Sequence, residues 1–191
     1  SAGVRVTPVS DHPVFDFLTN PSTGEVTYLA EDGRVFRERD GTDEELSSQE
    51  FSDIVAAAAS PNRQRILAAT GNSRTPEWRM FDIIDRAWRP LPQGIVAATW
   101  GFKLDRIIAQ VDRPAEPRKL VEIDLSRPSF PETVLAANFG FLGVSLHAVQ
   151  PDTLIIAERP TAKVEGRVWS FVLTSKKLTL LLAPTPGLMV S

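Results

Sequence analysis

Two histidines, scattered carboxylates and a large excess of arginine over lysine are what this chain offers to chemistry, and it has no cysteine. Without a thiol there is no disulfide, no thiolate metal site and no cysteine nucleophile. A serine–histidine–acid arrangement would have to use His12 or His147, and no serine stands in the glycine-flanked elbow that presents a nucleophile. Ser145 precedes His147 by two residues and shares its side if the segment is extended. The plainer reading is a histidine at a strand end, bonded to backbone. The acidic run Asp40-Gly41-Thr42-Asp43-Glu44-Glu45 gathers oxygen ligands of the kind calcium takes. It lacks the alternating spacing of a calcium loop and reads as a solvated acidic loop. Gly-rich phosphate loops, paired-histidine sites and dinucleotide fingerprints do not occur. No cofactor and no metal is expected.

Arginine carries the stronger pattern. Three segments each hold one beside proline or threonine: Asn72-Ser73-Arg74-Thr75-Pro76, Asp112-Arg113-Pro114-Ala115-Glu116-Pro117 and Glu158-Arg159-Pro160-Thr161-Ala162-Lys163. The planar guanidinium fork matches carboxylates and phosphates. Arg74, Arg113 and Arg159 are therefore the candidate partner-binding residues. The competing reading pairs each with Asp112, Glu116 or Glu158 next door. Of the tryptophans, Trp100 and Trp169 read as packing residues, whereas Trp78 and Trp88 flank a strand and read as partly exposed.

The elements that position these residues come from a repeat. An apolar run, a polar turn and a second apolar run recur four times, beginning at Val14, Ile54, Ile95 and Leu142. Ile54 to Ile95 is 41 residues and Ile95 to Leu142 is 47. A period in the forties built of short strands is that of a propeller blade. The last three copies divide into four strands each: Ile54–Ala59, Arg65–Thr70, Glu77–Ile84 and Trp88–Leu91; then Ile95–Trp100, Arg106–Val111, Lys119–Leu125 and Thr133–Ala136; then Leu142–Ala148, Thr153–Glu158, Arg167–Leu173 and Leu178–Leu182. In the first copy Val14–Leu18, Glu25–Ala30 and Arg34–Glu38 are strands and the fourth is ill defined, with a short helix or a loop over Asp43–Ile54. The four alanines Ala56–Ala59 would favour helix by propensity, but an innermost blade strand, crowded about an axis, also needs small side chains. Glu31-Asp32-Gly33 is a hairpin turn. The fold class expected is all-β, a propeller segment of about four four-stranded blades. Their approximate bounds are 13–50, 54–92, 95–137 and 142–183, with 184–191 starting a further blade. In this topology the three arginine-bearing loops join second to third strands and lie on one rim.

The turn Ser60-Pro61-Asn62-Arg63-Gln64-Arg65-Ile66 resembles the S-P-D-G-x-x-I signature of TolB-like (WD40-like) propeller repeats. Gly101-Phe102-Lys103-Leu104-Asp105-Arg106-Ile107 and Gln150-Pro151-Asp152-Thr153-Leu154 are weaker versions. Arg63 stands where the family has glycine, and the Trp-Asp and Gly-His pairs of true WD40 repeats are missing. The chain is also similar to bacterial propellers that follow a PEGA domain, a likeness that implies the cell envelope or periplasm.

A hydrophobic share of 42% and a charged share of 24% are ordinary for a globular protein. The formal charge of −3 gives no argument for nucleic acid or an acidic membrane surface, and no apolar stretch approaches the length of a membrane helix. Val4–Thr7 reads as the outer strand of a preceding blade and Leu188–Val190 as the inner strand of a following one, so the chain reads as part of a larger ring. The function expected is a non-catalytic binding or scaffold module. Its partner would be another protein or the remaining blades of the same propeller. Two alternatives stand beside it: a hydrolase or lyase with a site at the channel mouth, and a half-propeller that pairs with a second copy as a homodimer.

Overall fold

The computed structural model describes residues 10–160 and 166–185. The described residues form four antiparallel sheets of four strands, each in simple chain order. The first sheet holds β1 (Val14–Thr19), β2 (Val26–Ala30), β3 (Val35–Arg39) and β4 (Thr42–Ser47), and the second holds β5 (Ile54–Ala59), β6 (Arg65–Thr70), β7 (Glu77–Asp82) and β8 (Ala87–Pro90). The third holds β9 (Ile95–Trp100), β10 (Arg106–Val111), β11 (Lys119–Asp124) and β12 (Glu132–Ala136). The fourth holds β13 (Val144–Gln150), β14 (Thr153–Glu158), β15 (Gly166–Val172) and β16 (Lys177–Thr185). Strands β5, β6, β9, β10 and β14 have the bounds read from the sequence. The described residues contain no helix, so Ala56–Ala59 are strand despite their propensity.

One difference falls in the first copy. Thr42–Ser47 is the missing fourth strand, paired with β3 through Glu38↔Asp43 and Arg37↔Glu44. Asp40 and Gly41, at φ 53° and 79°, make the turn before it. The acidic run is thus a tight hairpin and an outer strand, not a loop. Its carboxylates take separate partners, Asp43 from the Tyr28 hydroxyl and Glu44 from Arg86. Among the described residues no three histidine or acidic side chains are gathered as a metal would need.

Two compact units divide the chain: residues up to Asn72 with Trp78–Pro90, and Ser73–Glu77 with residues from Leu91 onward. In the first, β1 lies beside β5, and Leu18, Leu29, Val35 and Leu46 pack on Ile66, Ala68, Phe81 and Ile83. In the second, β9 lies beside β13, and Ala97, Ile108 and Leu120 pack on Leu146, Leu154, Ile156 and Phe171. Each such leucine or isoleucine contributes about 1.5–3 kcal/mol on burial. The alternation of strands sends one set of side chains into these cores, and Ala57 and Ala59 of β5 pack at the edge of the first. Trp100 and Trp169 do pack in the second unit, Trp100 buried and Trp169 edge-on to Phe141. Trp78 differs from expectation, being buried within β7, while Trp88 is half-buried against Phe81 and Phe51. Val4–Thr7 and Leu188–Val190 lie outside the described residues.

Candidate functional site

One backbone bond recurs in all four sheets and sets where the long loops begin. The residue just after the second strand donates its N–H to the carbonyl just before the first: Glu31 to Pro13, Gly71 to Asp53, Asp112 to Gly94 and Arg159 to Gly143, at 2.8–2.9 Å. In the last three sheets the accepting residue is left-handed, with φ 56°, 84° and 57° at Asp53, Gly94 and Gly143. Gly94 also has to be small, because an added Cβ would lie 2.7 Å from Arg113 Cγ and 3.0 Å from the Asp112 carbonyl.

Counted from that bond, the three candidate arginines are not equivalent. Arg159 is the donor itself, Arg113 is one residue beyond the donor Asp112, and Arg74 is three beyond Gly71. Their surroundings differ accordingly. Arg74 and Arg159 line the same cleft of ≈ 500 Å³ in the second unit. Arg113 does not line it. Its guanidinium forms a two-pronged pair with Glu132 on β12, and Nε donates to the Gln93 carbonyl at 3.1 Å. Glu132 was not among the carboxylates expected beside it, since it lies two strands away in sequence. The third arginine lining the cleft is Arg118, whose Nε donates to Asp112 Oδ2 at 2.6 Å. Arg118 and Asp112 are both partly exposed.

The rest of the cleft is apolar and amide. Val96, Phe141, Leu142 and Val144 form a greasy wall, and Leu142 is 66% exposed. Gln110 on β10 is buried, and its Nε2 donates to the Phe141 carbonyl at 2.7 Å, tying the β12–β13 connection to the sheet. Gln110 Oε1 is buried without a donor, a state that costs about 1–3 kcal/mol. Arginines, one carboxylate, an unsatisfied acceptor and an apolar wall together suit an anion that carries an apolar group.

A second hollow of ≈ 550 Å³ lies between Leu135–Phe141 and Phe171, Lys176 and Leu178. Its one cation, Lys176, donates to the Leu135 carbonyl at 2.5 Å, which leaves no convergent polar chemistry. His147 Nε2 and Ser145 Oγ are 3.2 Å apart on β13. Among the described residues no carboxylate bonds to His147, so nothing orients the ring as a triad requires.

No family model and no curated protein matches this sequence. Solved structures do. TolB from Acinetobacter baumannii superposes with TM-score 0.60 at 17% identity, over 91% of this chain and 44% of TolB. Oligopeptidase B from Trypanosoma brucei, with antipain covalently bound, gives 0.60 at 18% identity over 90% of this chain and 27% of that one. A nidogen/laminin complex gives 0.52 at 13%, over 85% of this chain and 59% of that chain. The fold is therefore a TolB-like β-propeller segment, and the chain spans less than two thirds of the length of each of these proteins.

Proposed function

We propose that this propeller segment is a binding or scaffold module whose partner is another protein, and that it takes hold of that partner's carboxylates in the cleft of the second unit. The observation that carries this reading is that three arginines, Arg74, Arg118 and Arg159, line one cleft with an apolar wall. Charge-assisted bonds from arginine to carboxylate are the strong hydrogen bonds of protein recognition. The nidogen/laminin structure is itself a complex, which supports the use of such a fold in binding. Relative to the arc expected from the loops, Arg118 takes the part of Arg113.

A glutamate-rich peptide that ends in a free C-terminal leucine and is fluorescently labelled at its N-terminus tests the reading by anisotropy. Binding should weaken as salt is raised and fall at least fivefold in Arg74→Ala and in Arg159→Ala. Equal binding by the variants, or none by the native protein, overturns it.

Assembly with further blades, or with a second copy, is a separate reading supported by two surfaces. On β16, Leu178, Leu180, Leu181 and Leu182 are each 42–50% exposed, and on β1 Phe17 is 61% exposed. Exposed apolar area costs roughly 25 cal/mol per Å² relative to burial. A solution mass of twice the chain at micromolar concentration favours pairing; a monomer that stays monodisperse counts against it.

A further inference from the structure

We infer that the cleft recognises a free chain terminus: the C-terminal carboxylate of a peptide whose last side chain is apolar. This rests on the cleft being the carboxylate site proposed above.

The argument starts from what has to be placed where. Arg74, Arg118 and Arg159 supply donors on one cleft. Asp112 holds Arg118 through Nε, which leaves the two terminal nitrogens of that guanidinium for a second carboxylate. Beside them stand Leu142, largely exposed, and Val96 and Phe141. Gln110 adds an acceptor that lacks a donor. A matching ligand therefore presents a carboxylate, an apolar group and an N–H close together.

A C-terminal residue carries all three on one Cα. Its carboxylate and side chain are on adjacent bonds, and its own N–H is the donor nearest to that carboxylate. An internal glutamate or aspartate carries the carboxylate on its side chain. Its nearest apolar group then belongs to a neighbouring residue about 3.3–3.6 Å further along an extended chain. A phosphate offers no apolar group, and its double charge would be desolvated against Leu142 and Val96 at high cost. Capture of a terminal carboxylate is also a recurrent mode of peptide recognition. The volume of ≈ 500 Å³ suits one or two residues rather than a long groove.

The test uses four probes on the full chain, read by calorimetry. The first is an acetylated tetrapeptide Ser-Gly-Ser-Leu with a free carboxylate, and the second is the same peptide amidated. The third is an amidated tetrapeptide with an internal glutamate, and the fourth is inorganic phosphate. The free acid should bind at least tenfold more tightly than its amide and the internal-glutamate peptide. Leu142→Ser should reduce the preference over the internal-glutamate peptide at least threefold; with its side chain largely in solvent, the variant keeps its fold. Tight binding of the internal-glutamate peptide, equal to the free acid, overturns the terminus inference while the carboxylate cleft stands. Failure of every peptide overturns both. Phosphate displacing the free acid at equal concentration overturns the inference in favour of an inorganic anion.

Discussion

Arg106 lies directly opposite Asp124 across the β10–β11 pair, and its Nη1 is 2.8 Å from Asp124 Oδ2. The second sheet repeats the device, with Arg65 Nε 2.9 Å from Asp82 Oδ2. The first sheet reverses its polarity: Glu25 precedes β2, Arg39 ends β3, and the two approach to 3.4 Å. The fourth uses neutral donors, Asp152 accepting from the N–H and hydroxyl of Thr174. In every sheet a charged group thus ties the start of the second strand to the end of the third, away from the arginine loops. The Phe81-Asp82-Ile83 and Ile123-Asp124-Leu125 echo in the sequence is this tie.

Asp82 is the member to perturb, being buried and bonded by Arg65 and by the N–H groups of Ile84 and Asp85. Burial pushes its carboxyl up, but those bonds outweigh it and the group sits below the usual aspartate value. A carboxyl depressed in the folded state stabilises above its unfolded value, near pH 4, and loses that contribution as pH falls through its folded value. Asp82→Ala should lower stability by about 1–3 kcal/mol at neutral pH. The difference should shrink on acidification below about pH 4. Urea titrations of both proteins at several pH values measure it.

Tyr28 gives a pH test at the other extreme, helped by being the one tyrosine in the chain. Its ring is buried against Phe36, and its hydroxyl donates to Asp43 Oδ2 at 2.6 Å. Burial first, then Asp43, pushes its pKa up to about 12. A group raised in the folded state stabilises fully below its unfolded value, about 10, and loses that as pH rises through 12. The ultraviolet phenolate signal should stay absent at pH 10 in the native protein and appear there only on unfolding. Half-titration of the folded protein near pH 10 would refute the burial.

The strands were legible because period-two patterning, proline and glycine punctuation and a repeat with a period in the forties all pointed the same way. Thr42–Ser47 was not, because Asp43, Glu44 and Glu45 hide alternation behind charge, and only Leu46 reaches the core. The cleft was half legible. Loop position brought out Arg74 and Arg159, but an arginine's partner is set by register across strands, and Glu132 is out of sight from Arg113. Arg118 was missed although it directly follows Pro117, because Arg113 already stood for that loop; its further signal was proximity to Asp112 across a short loop. Gln110 was not singled out either, because a lone amide in a strand gives no sign of where its partner lies.

Arg63 bears on the TolB-like turn. It is exposed and left-handed, at φ 59°, where the related signature has glycine. An L-residue in that region costs about 1–2 kcal/mol, and glycine gives back part of this through unfolded-state entropy. Arg63→Gly should therefore stabilise the chain by about 0.5–1 kcal/mol, while Arg63→Val should destabilise it. Ser60, whose Oγ accepts from the N–H groups of Gln64 and Arg65, keeps the turn closed in both variants. Paired denaturant titrations of the two variants decide the sign.

Arg113 and Arg118 separate structure from recognition. Arg113 is held by Glu132 at one side and by the Gln93 carbonyl at another, and Gly94 is pressed against its stem. Removing it leaves Glu132, itself largely covered, with Lys119 at 3.9 Å as its remaining cation. Arg113→Ala should cost about 1–2 kcal/mol of stability and leave the affinity for carboxylate peptides within twofold. Arg118→Ala should do the reverse. Its pair with Asp112 is partly exposed and contributes little to folding, about 0–1 kcal/mol. The loss removes one cation from the cleft and leaves Asp112 there unpaired, so carboxylate binding should fall tenfold or more. Restoring charge without the fork, as Arg118→Lys, should recover only part of it, because lysine lacks the bidentate geometry. Equal loss of binding in Arg113→Ala and Arg118→Ala would mean that the arc read from the loops, and not the cleft, is the recognition surface.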